Sequence, residues 1–217
     1  VSLAEISDGH LYKANDMVKA DCGGCEGCSR CCHGMGNSII LDPYDVYRMT
    51  TGMGKSMQEL LAASVELNVV DGVILPNLKM QGTEEACAYL DEEGRCSIHP
   101  YRPGICRLFP LGRYYENGGF SYFLQTGECA KENRSKIKVS KWIDTPDLTR
   151  NQQFTLQWHD LLHAMEERLT GEDEGKQREE NLLLLRLFYL LPYEGTIDFY
   201  TQFTERMEHW NGQNGQI

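Results

Sequence analysis

Five cysteines between residues 22 and 32 are the feature of this sequence best suited to chemistry. Cys22, Cys25, Cys28 and Cys31 are each separated by two residues, and Cys32 follows directly. A Cys-x-x-Cys turn lets two thiolates face one metal atom or cluster while loop amides point at the sulfurs, so this spacing recurs in zinc and iron–sulfur sites. One such pair is weak evidence, whereas a run of them predicts a metal centre.

A second group of cysteines is spread over a longer part of the chain, at Cys87, Cys96, Cys106 and Cys129. This group contains no Cys-x-x-Cys pair, although a zinc ribbon needs two such turns. Three thiolates from Cys25, Cys28 and Cys31 with one remote cysteine resemble the ligation of a cubane cluster more closely. The spacing matches the cysteine run of bacterial ferredoxins only in part. In that run the third cysteine is followed by three spacer residues and a Cys-Pro pair, whereas here Cys31 is followed directly by Cys32.

The adjacent pair Cys31 and Cys32 raises a geometric question. Neighbouring side chains in extended backbone point to opposite sides, so we expect these two to diverge and one to turn toward the second group. That arrangement allows two metal centres, or one centre and a thiol pair. Cys22 is the best candidate for an inert buried cysteine, which binds no metal and takes part in no reaction.

Other uses of the cysteines fit less well. No secretory or transit segment is visible at the start, so the cytoplasm is the expected location, and disulfides are disfavoured there. A thiol–disulfide redox role lacks the strand, motif and helix of a thioredoxin-like site. We interpret His33 and His99 as hydrogen-bonding or surface residues, and His159 and His163 as helix surface, since no zincin glutamate accompanies them.

Three arginines lie within a few residues of the cysteines: Arg30, Arg102 and Arg107. Several thiolates on one metal leave a net negative charge, which guanidinium groups offset by hydrogen bonds to sulfur. We therefore consider them candidate cofactor-binding residues. Salt bridges to the acidic residues 91–93 are the competing interpretation.

Charge and hydropathy exclude some partners. The formal net charge is −11, which repels phosphate backbones, so we expect no nucleic-acid partner. The most apolar stretch, Leu182 to Leu191, is interrupted by Arg186 and is too short to cross a bilayer. The expected partner is a redox protein or another protein of unknown kind.

Local patterns predict short elements around the cysteines. We expect the first 20 residues to form an irregular or weakly helical segment before the first cysteine run. Asp42-Pro43 provides a cap and a first-turn proline for one helix, and a second is predicted from Ser56 to about Leu67. Asp71-Gly72 and Asn117-Gly118 predict two β-hairpins.

From Asp147 onward the apolar residues follow a helical period, and a glycine-flanked acidic turn lies at residues 171–175. The sequence therefore predicts an α+β fold: a cysteine-rich metal-binding core of loops, short helices and a small antiparallel sheet, with a C-terminal layer of about three helices. We place the cysteine-cluster domain at residues 1–145 and a helical extension packed on it at residues 146–217.

The run Cys25-x-x-Cys28-x-x-Cys31-Cys32, followed by Cys-Ser-Ile-His-x-x-Arg-Pro-x-x-Cys-Arg, resembles the Cys-x-x-Cys-x-x-Cys-Cys family, often called YkgJ-like. The resemblance spans about half the chain and implies zinc or iron chelation. The implied site residues are the arginines Arg102 and Arg107, Pro103, and eight cysteines: Cys25, Cys28, Cys31, Cys32, Cys87, Cys96, Cys106 and Cys129. His99 stands where relatives commonly carry tyrosine, and Cys22 is an addition.

These observations together predict a metal-binding protein that holds a [4Fe–4S]-type centre for electron transfer, cluster handling or structural support. The first alternative is one or two all-cysteine zinc sites in an interaction module. The resemblance also implies a second alternative, because one branch of the family is similar to the flagellin lysine methylase and joins this cysteine region to methyl transfer. Whether the chain is an enzyme stays open at this point.

Overall fold

The computed structural model describes residues 2–23, 28–131 and 133–214. Contacts divide the chain into two compact units, the first formed by residues 1–35, 80–99 and 104–156 and the second by residues 36–79, 100–103 and 157–217. Helices and small antiparallel sheets make up both, which confirms the α+β class. The predicted division into a domain and an extension at residue 145 stays a prediction.

The elements are numbered in chain order. The helices are α1 (Leu3–Ile6), α2 (Pro43–Met53), α3 (Met57–Ala63), α4 (Gly104–Leu108), α5 (Val139–Ile143), α6 (Leu148–Leu169), α7 (Glu174–Leu185) and α8 (Phe199–Asn214). The strands are β1 (Ser7–Tyr12), β2 (Met17–Asp21), β3 (Val65–Val70), β4 (Val73–Leu78), β5 (Met80–Gln81), β6 (Ala86–Cys87), β7 (Leu111–Glu116), β8 (Gly119–Gln125) and β9 (Ser135–Lys138). Short 3-10 turns lie at Arg30–Cys32 and His99–Tyr101, and a π turn at Arg186–Leu190.

A three-stranded antiparallel sheet of order β1-β8-β7 organises the first unit, and β2 pairs with β9. The β7–β8 hairpin turns at Asn117 and Gly118, both at positive φ, as the Asn-Gly pair predicts. The expectation of an irregular lead-in was wrong, because β1 and β2 form there. Their partners β8 and β9 lie more than a hundred residues later, so no local pattern shows the pairing.

The core of the first unit joins these strands to the two short helices α4 and α5. Its buried residues are Val18, Ala20, Leu108, Leu111, Tyr122, Leu124, Val139 and Ile143. The Trp142 indole nitrogen donates to the carbonyls of Leu108 and Phe109 at 3.2 Å, which fixes the end of α4 against α5. Burial of each large side chain contributes roughly 1.5–3 kcal/mol, so this core is what holds the loops around the cysteines in place.

In the second unit, α2 begins where the sequence predicts. The backbone N–H of Asp45 donates to the Asp42 side chain at 2.8 Å, and the Asp45 side chain accepts from the Asp42 backbone at 3.3 Å. The next helix, α3, starts after the Ser56 cap but ends at Ala63, earlier than predicted. Residues from Val65 onward form β3 instead, because their pairing with β4 outweighs the local helical pattern.

The predicted hairpin at Asp71-Gly72 is confirmed and is fixed by a side chain from α7. The Asn181 amide accepts from the backbone N–H of Ile74 at 2.6 Å and donates to the Gly72 carbonyl at 3.2 Å. Asn181 is buried, so these bonds satisfy an amide that would otherwise be costly inside the protein.

The C-terminal helices confirm the predicted helical layer, and aromatic contacts hold them. Phe199 contacts Tyr44 and Phe203 with ring centroids 5.0 and 5.8 Å apart, and Trp158 contacts Phe188 at 5.1 Å. Among the described helices, none has both the length and the apolar character that crossing a bilayer requires.

We expect Gly112→Ala to destabilise the protein by about 1–3 kcal/mol. A Cβ at this position would lie 2.3 Å from the ring of Phe123, its buried cross-strand partner, so the ring would have to move. Urea unfolding followed by circular dichroism measures the change. The matched control is Gly119→Ala in the same hairpin, where the nearest atom to the new Cβ is 3.8 Å away, and equal destabilisation by both changes would contradict this account.

Candidate metal centre

The site begins with the 3-10 turn at Arg30–Cys32, which carries the two adjacent cysteines. Cys32 donates its backbone N–H to the Ser29 carbonyl at 2.8 Å, and His33 donates to Arg30 at 3.2 Å. The His33 ring Nδ1 lies 3.0 Å from the Ser29 carbonyl. This histidine therefore closes the turn through hydrogen bonds, in line with its interpretation from the sequence.

Backbone pairing carries this turn to the second cysteine group. His33 forms a β-bridge with Ala86, and Gly34 donates to the Glu85 carbonyl at 3.0 Å. Ala86 precedes Cys87 in β6, which pairs with β5. The bridge thus fixes the adjacent cysteines beside Cys87, although more than fifty residues separate them in the chain.

A tight loop then returns the chain to the same place. Cys87 accepts from the backbone of Leu90 at 2.9 Å, and Leu90 forms a β-bridge with Cys96. At the tip of the loop, the Asp91 side chain accepts from the backbone N–H of Arg95 at 2.7 Å, and Gly94 adopts a positive φ. Cys87 and Cys96 are consequently at the base of one loop.

Cys106 comes from the short helix α4 and is followed by the buried Arg107, which is 6% exposed. Burial of a guanidinium, which stays charged at all ordinary pH values, is rare unless acceptors surround it. The sequence places Arg107 directly after Cys106, and its role as a cofactor-binding residue stays a prediction.

The electrostatics show that five of these thiols lie in one neighbourhood. The pKa of Cys32 is raised far above its usual value by a hydrogen bond with the Cys31 thiol first, then by burial and the charges of Cys31, Cys87 and Cys106. The pKa of Cys87 is raised chiefly by burial, and also by the charges of Cys96 and Cys31. Thiolates this close repel one another, so they cannot all ionise without a cation.

The contact between Cys31 and Cys32 corrects one expectation. We predicted that the adjacent side chains would diverge, but their thiols are hydrogen-bonded to each other. The charge of Cys87 raises the pKa of Cys32, and the charge of Cys31 raises the pKa of Cys87. The prediction assumed extended backbone, whereas the pair lies in a 3-10 turn, in which consecutive side chains are rotated only partly apart.

Within residues 2–23, 28–131 and 133–214, no three ligating side chains are close enough to one another to hold an ion as they stand. The eight cysteines that the structure describes are all thiols rather than disulfides.

The remaining predicted site residues are less closely tied to this neighbourhood. Cys25 lies outside the described residues, and Cys28 and Cys129 are partly exposed residues of the first unit. Arg30 is exposed, and Arg102 groups with the second unit. The roles of these residues, and of the other predicted site residues, as ligands or cofactor contacts stay predictions.

Sequence analysis missed Arg134, five residues after Cys129. Its Nε and Nη1 atoms are buried, and no described residue accepts a hydrogen bond from either. Arg134 precedes Ser135, which pairs with Asp21, so it stands across the ladder from the start of the first cysteine run. The proximity rule that selected Arg30, Arg102 and Arg107 would have found it.

These residues suit a metal bound through sulfur. Thiolates are soft donors that favour zinc, copper(I) and iron–sulfur clusters over hard cations. The pKa of Cys32 is raised chiefly by its hydrogen bond with Cys31 and that of Cys87 chiefly by burial, with the charges of nearby thiols adding to both. A bound cation would offset these effects, since metal ligation deprotonates thiols outright. Buried guanidinium groups would in turn balance the negative charge of a centre with several thiolates.

Comparison with known proteins identifies the class of protein. Residues 24–154, more than half of the chain, match the model of the CxxCxxCC family, described as a "Putative zinc- or iron-chelating domain". The chain therefore belongs to this family, as its cysteine spacing predicts, and its cysteine region is a metal-chelating one. No curated protein and no solved structure matches the chain.

We expect Cys32 and Cys87 to react slowly with iodoacetamide at pH 8 in the metal-free protein. A raised pKa leaves less of each thiol as thiolate at that pH than in the unfolded chain, where cysteine titrates near 8.5. Mass spectrometry of the alkylated peptides, with urea-unfolded protein as the reference, measures the ratio. Equal rates in the folded and unfolded protein at both cysteines would contradict the clustering.

Proposed function

We propose that this protein holds an iron–sulfur centre of the [4Fe–4S] type, and that the centre serves in electron transfer, cluster handling or structural support. The observation that carries the proposal is the convergence of three chain segments, the Arg30–Cys32 turn, the Cys87–Cys96 loop and α4. The bridges His33–Ala86 and Leu90–Cys96 join the first two segments, and the charges of Cys31, Cys87 and Cys106 act on Cys32 while those of Cys31 and Cys96 act on Cys87. We call these five cysteines the coupled group. Nothing in an ordinary apolar core requires such a grouping.

The spread of the thiols favours a centre with several metal atoms. One zinc ion and one [4Fe–4S] cluster each take four cysteine ligands, but the zinc ion needs all four sulfurs at about 2.3 Å, and no three ligating side chains of the described residues lie close enough together for that. Several irons distribute their terminal ligands over a larger volume, so they accommodate neighbouring cysteines from one turn. Cys28, Cys129 and Cys25 then remain available to complete or exchange ligands.

A centre of this type supplies one-electron chemistry when it is bound. The protein's own residues would hold it and set its environment: Cys31, Cys32, Cys87, Cys96 and Cys106 as sulfur donors. Their partial burial limits contact with water. The buried guanidinium groups of Arg107 and Arg134 would lower the cost of the added negative charge. A reducing compartment such as the cytoplasm suits these thiols.

Anaerobic purification with metal and sulfide analysis tests the proposal. We expect broad absorption near roughly 400 nm with stoichiometric iron and acid-labile sulfide, as sulfur-ligated iron clusters require. Cys32→Ser and Cys106→Ser should each lose at least half of the iron, because each removes a thiol from the coupled group. Cys22→Ser is the matched control and should keep its iron.

A colourless protein loaded with zinc would refute the iron–sulfur assignment but retain the thiolate site. If Cys32→Ser and Cys106→Ser both kept full metal content, the coupled group would not be the ligand set. Circular dichroism of each variant separates loss of metal from loss of folding.

Zinc is the second candidate, and the family description itself names it beside iron. One or two all-thiolate zinc sites would be redox-silent and would contribute only to folding. The eight cysteines of the family motif suffice for two such sites. Protein purified without oxygen that contains zinc in place of iron would favour the assignment of all-thiolate zinc sites.

Arg134 gives a test with an electrochemical readout. We expect Arg134→Gln to lower the midpoint potential of the iron-loaded protein by roughly 20–60 mV, equivalent to about 0.5–1.4 kcal/mol for one electron, since removal of a nearby positive charge disfavours reduction. Protein-film voltammetry measures the shift. Arg178→Gln is the control, because solvent screens its exposed side chain on α7, and an equal shift there would contradict a specific role for Arg134.

A further inference from the structure

The outer face of the β2–β9 sheet concentrates positive charge in a chain that is acidic overall. Val18 and Ala20 of β2 point into the core, which leaves Met17 and Lys19 exposed between them. On β9, Ile137 packs toward the core while Lys136 and Lys138 are exposed. We call Met17, Lys19, Lys136 and Lys138 the lysine face.

The strand register brings these side chains together. Met17 pairs with Lys138 and Val18 pairs with Ile137, and the register then shifts by one residue before Asp21 pairs with Ser135, so Lys19 and Ala20 lie opposite Lys136 on the two strands. Like charges at neighbouring cross-strand positions destabilise a sheet. The stability of the β2–β9 sheet therefore does not explain why its lysines lie together.

The nearby carboxylates do not neutralise the face. Asp16 accepts from the backbone N–H of Lys13 at 2.7 Å, and Asp21 accepts from the Ser135 hydroxyl at 3.0 Å and from Gly23. Among the residues that the structure describes, no ion pair involves Lys19, Lys136 or Lys138. Three exposed ammonium groups thus lie on this face without an ion pair to any carboxylate that the structure describes.

The charge of the remaining molecule limits what such a face can bind. A net charge of −11 repels long polyanions and anionic membranes at distances within the Debye length, about 10 Å at 0.1 M salt, so attraction must come from short-range contact with a local acidic patch. Met17 adds an apolar contact beside Lys138 at one end of the face, with 49% of its surface exposed. Apolar contacts next to charged side chains are typical of protein–protein interfaces.

We propose that the lysine face is a docking surface for an acidic protein partner. β2 ends at Asp21, directly before Cys22, so a partner bound here contacts the strand that leads into the first cysteine run. Charge complementarity of this kind sets the rate and orientation of association more than its affinity. The proposal does not depend on which metal the cysteines hold.

Fluorescence anisotropy with a labelled decaglutamate peptide tests the face on the intact protein as purified. We expect weak binding at about 25 mM salt that disappears near 500 mM, as screening requires. The variant Lys19→Gln/Lys136→Gln/Lys138→Gln should bind about tenfold more weakly, since it removes three contacts with carboxylates. Carbodiimide cross-linking should join the peptide's carboxylates to these three lysines in the native protein.

The matched control is Lys55→Gln/Lys79→Gln/Lys176→Gln, which changes the net charge equally and should alter binding less than twofold. The proposal fails if decaglutamate does not bind at low salt, if both triple variants bind alike, or if the cross-links fall elsewhere. It also fails if a 20-nucleotide single strand or phosphatidylserine vesicles bind the native protein more tightly than the peptide through the same lysines. Circular dichroism of both variants establishes that they are folded.

Discussion

Thiols that are close together and partly buried resist ionisation, and this constraint shapes the first unit of the protein. The pKa values of Cys32 and Cys87 rise because burial and neighbouring sulfurs both oppose a second negative charge. A metal cation reverses that balance, since it favours the ionised form of each ligand. The same proximity that is unfavourable in the metal-free protein becomes the source of affinity when metal binds.

Much of the surrounding structure serves to create this proximity. The bridge between His33 and Ala86 joins the first cysteine run to β6, and the bridge between Leu90 and Cys96 closes the loop that follows. Neither contact buries much apolar surface, so both depend on the core around Tyr122 and Val139 for their stability. The cysteine loops are therefore irregular backbone fixed by a small hydrophobic core and by short hydrogen-bonded turns.

Charge is arranged on two scales in this molecule. In the interior of the protein, Arg107 is buried directly after Cys106 in the chain, and two guanidinium nitrogens of Arg134 are buried as well. At the surface, Lys19 and Lys136 form a local exception to the acidic character of the chain. Buried charges act strongly over short distances because little water screens them, whereas surface charges act mainly on encounter with a partner.

The sequence alone determined the family, the α+β class, the helix start at Asp42, the hairpins at Asp71-Gly72 and Asn117-Gly118, and the helical C-terminal third. Each of these depends on spacing, caps or turn residues that act within a few positions of the chain. Only the tertiary structure decided that Ser7–Tyr12 and Met17–Asp21 form strands, that the thiols of Cys31 and Cys32 are hydrogen-bonded, and that Arg134 carries buried donors. These features depend on pairing with β8, β9 and β6, which are distant in sequence. Local propensity does not encode such long-range pairing.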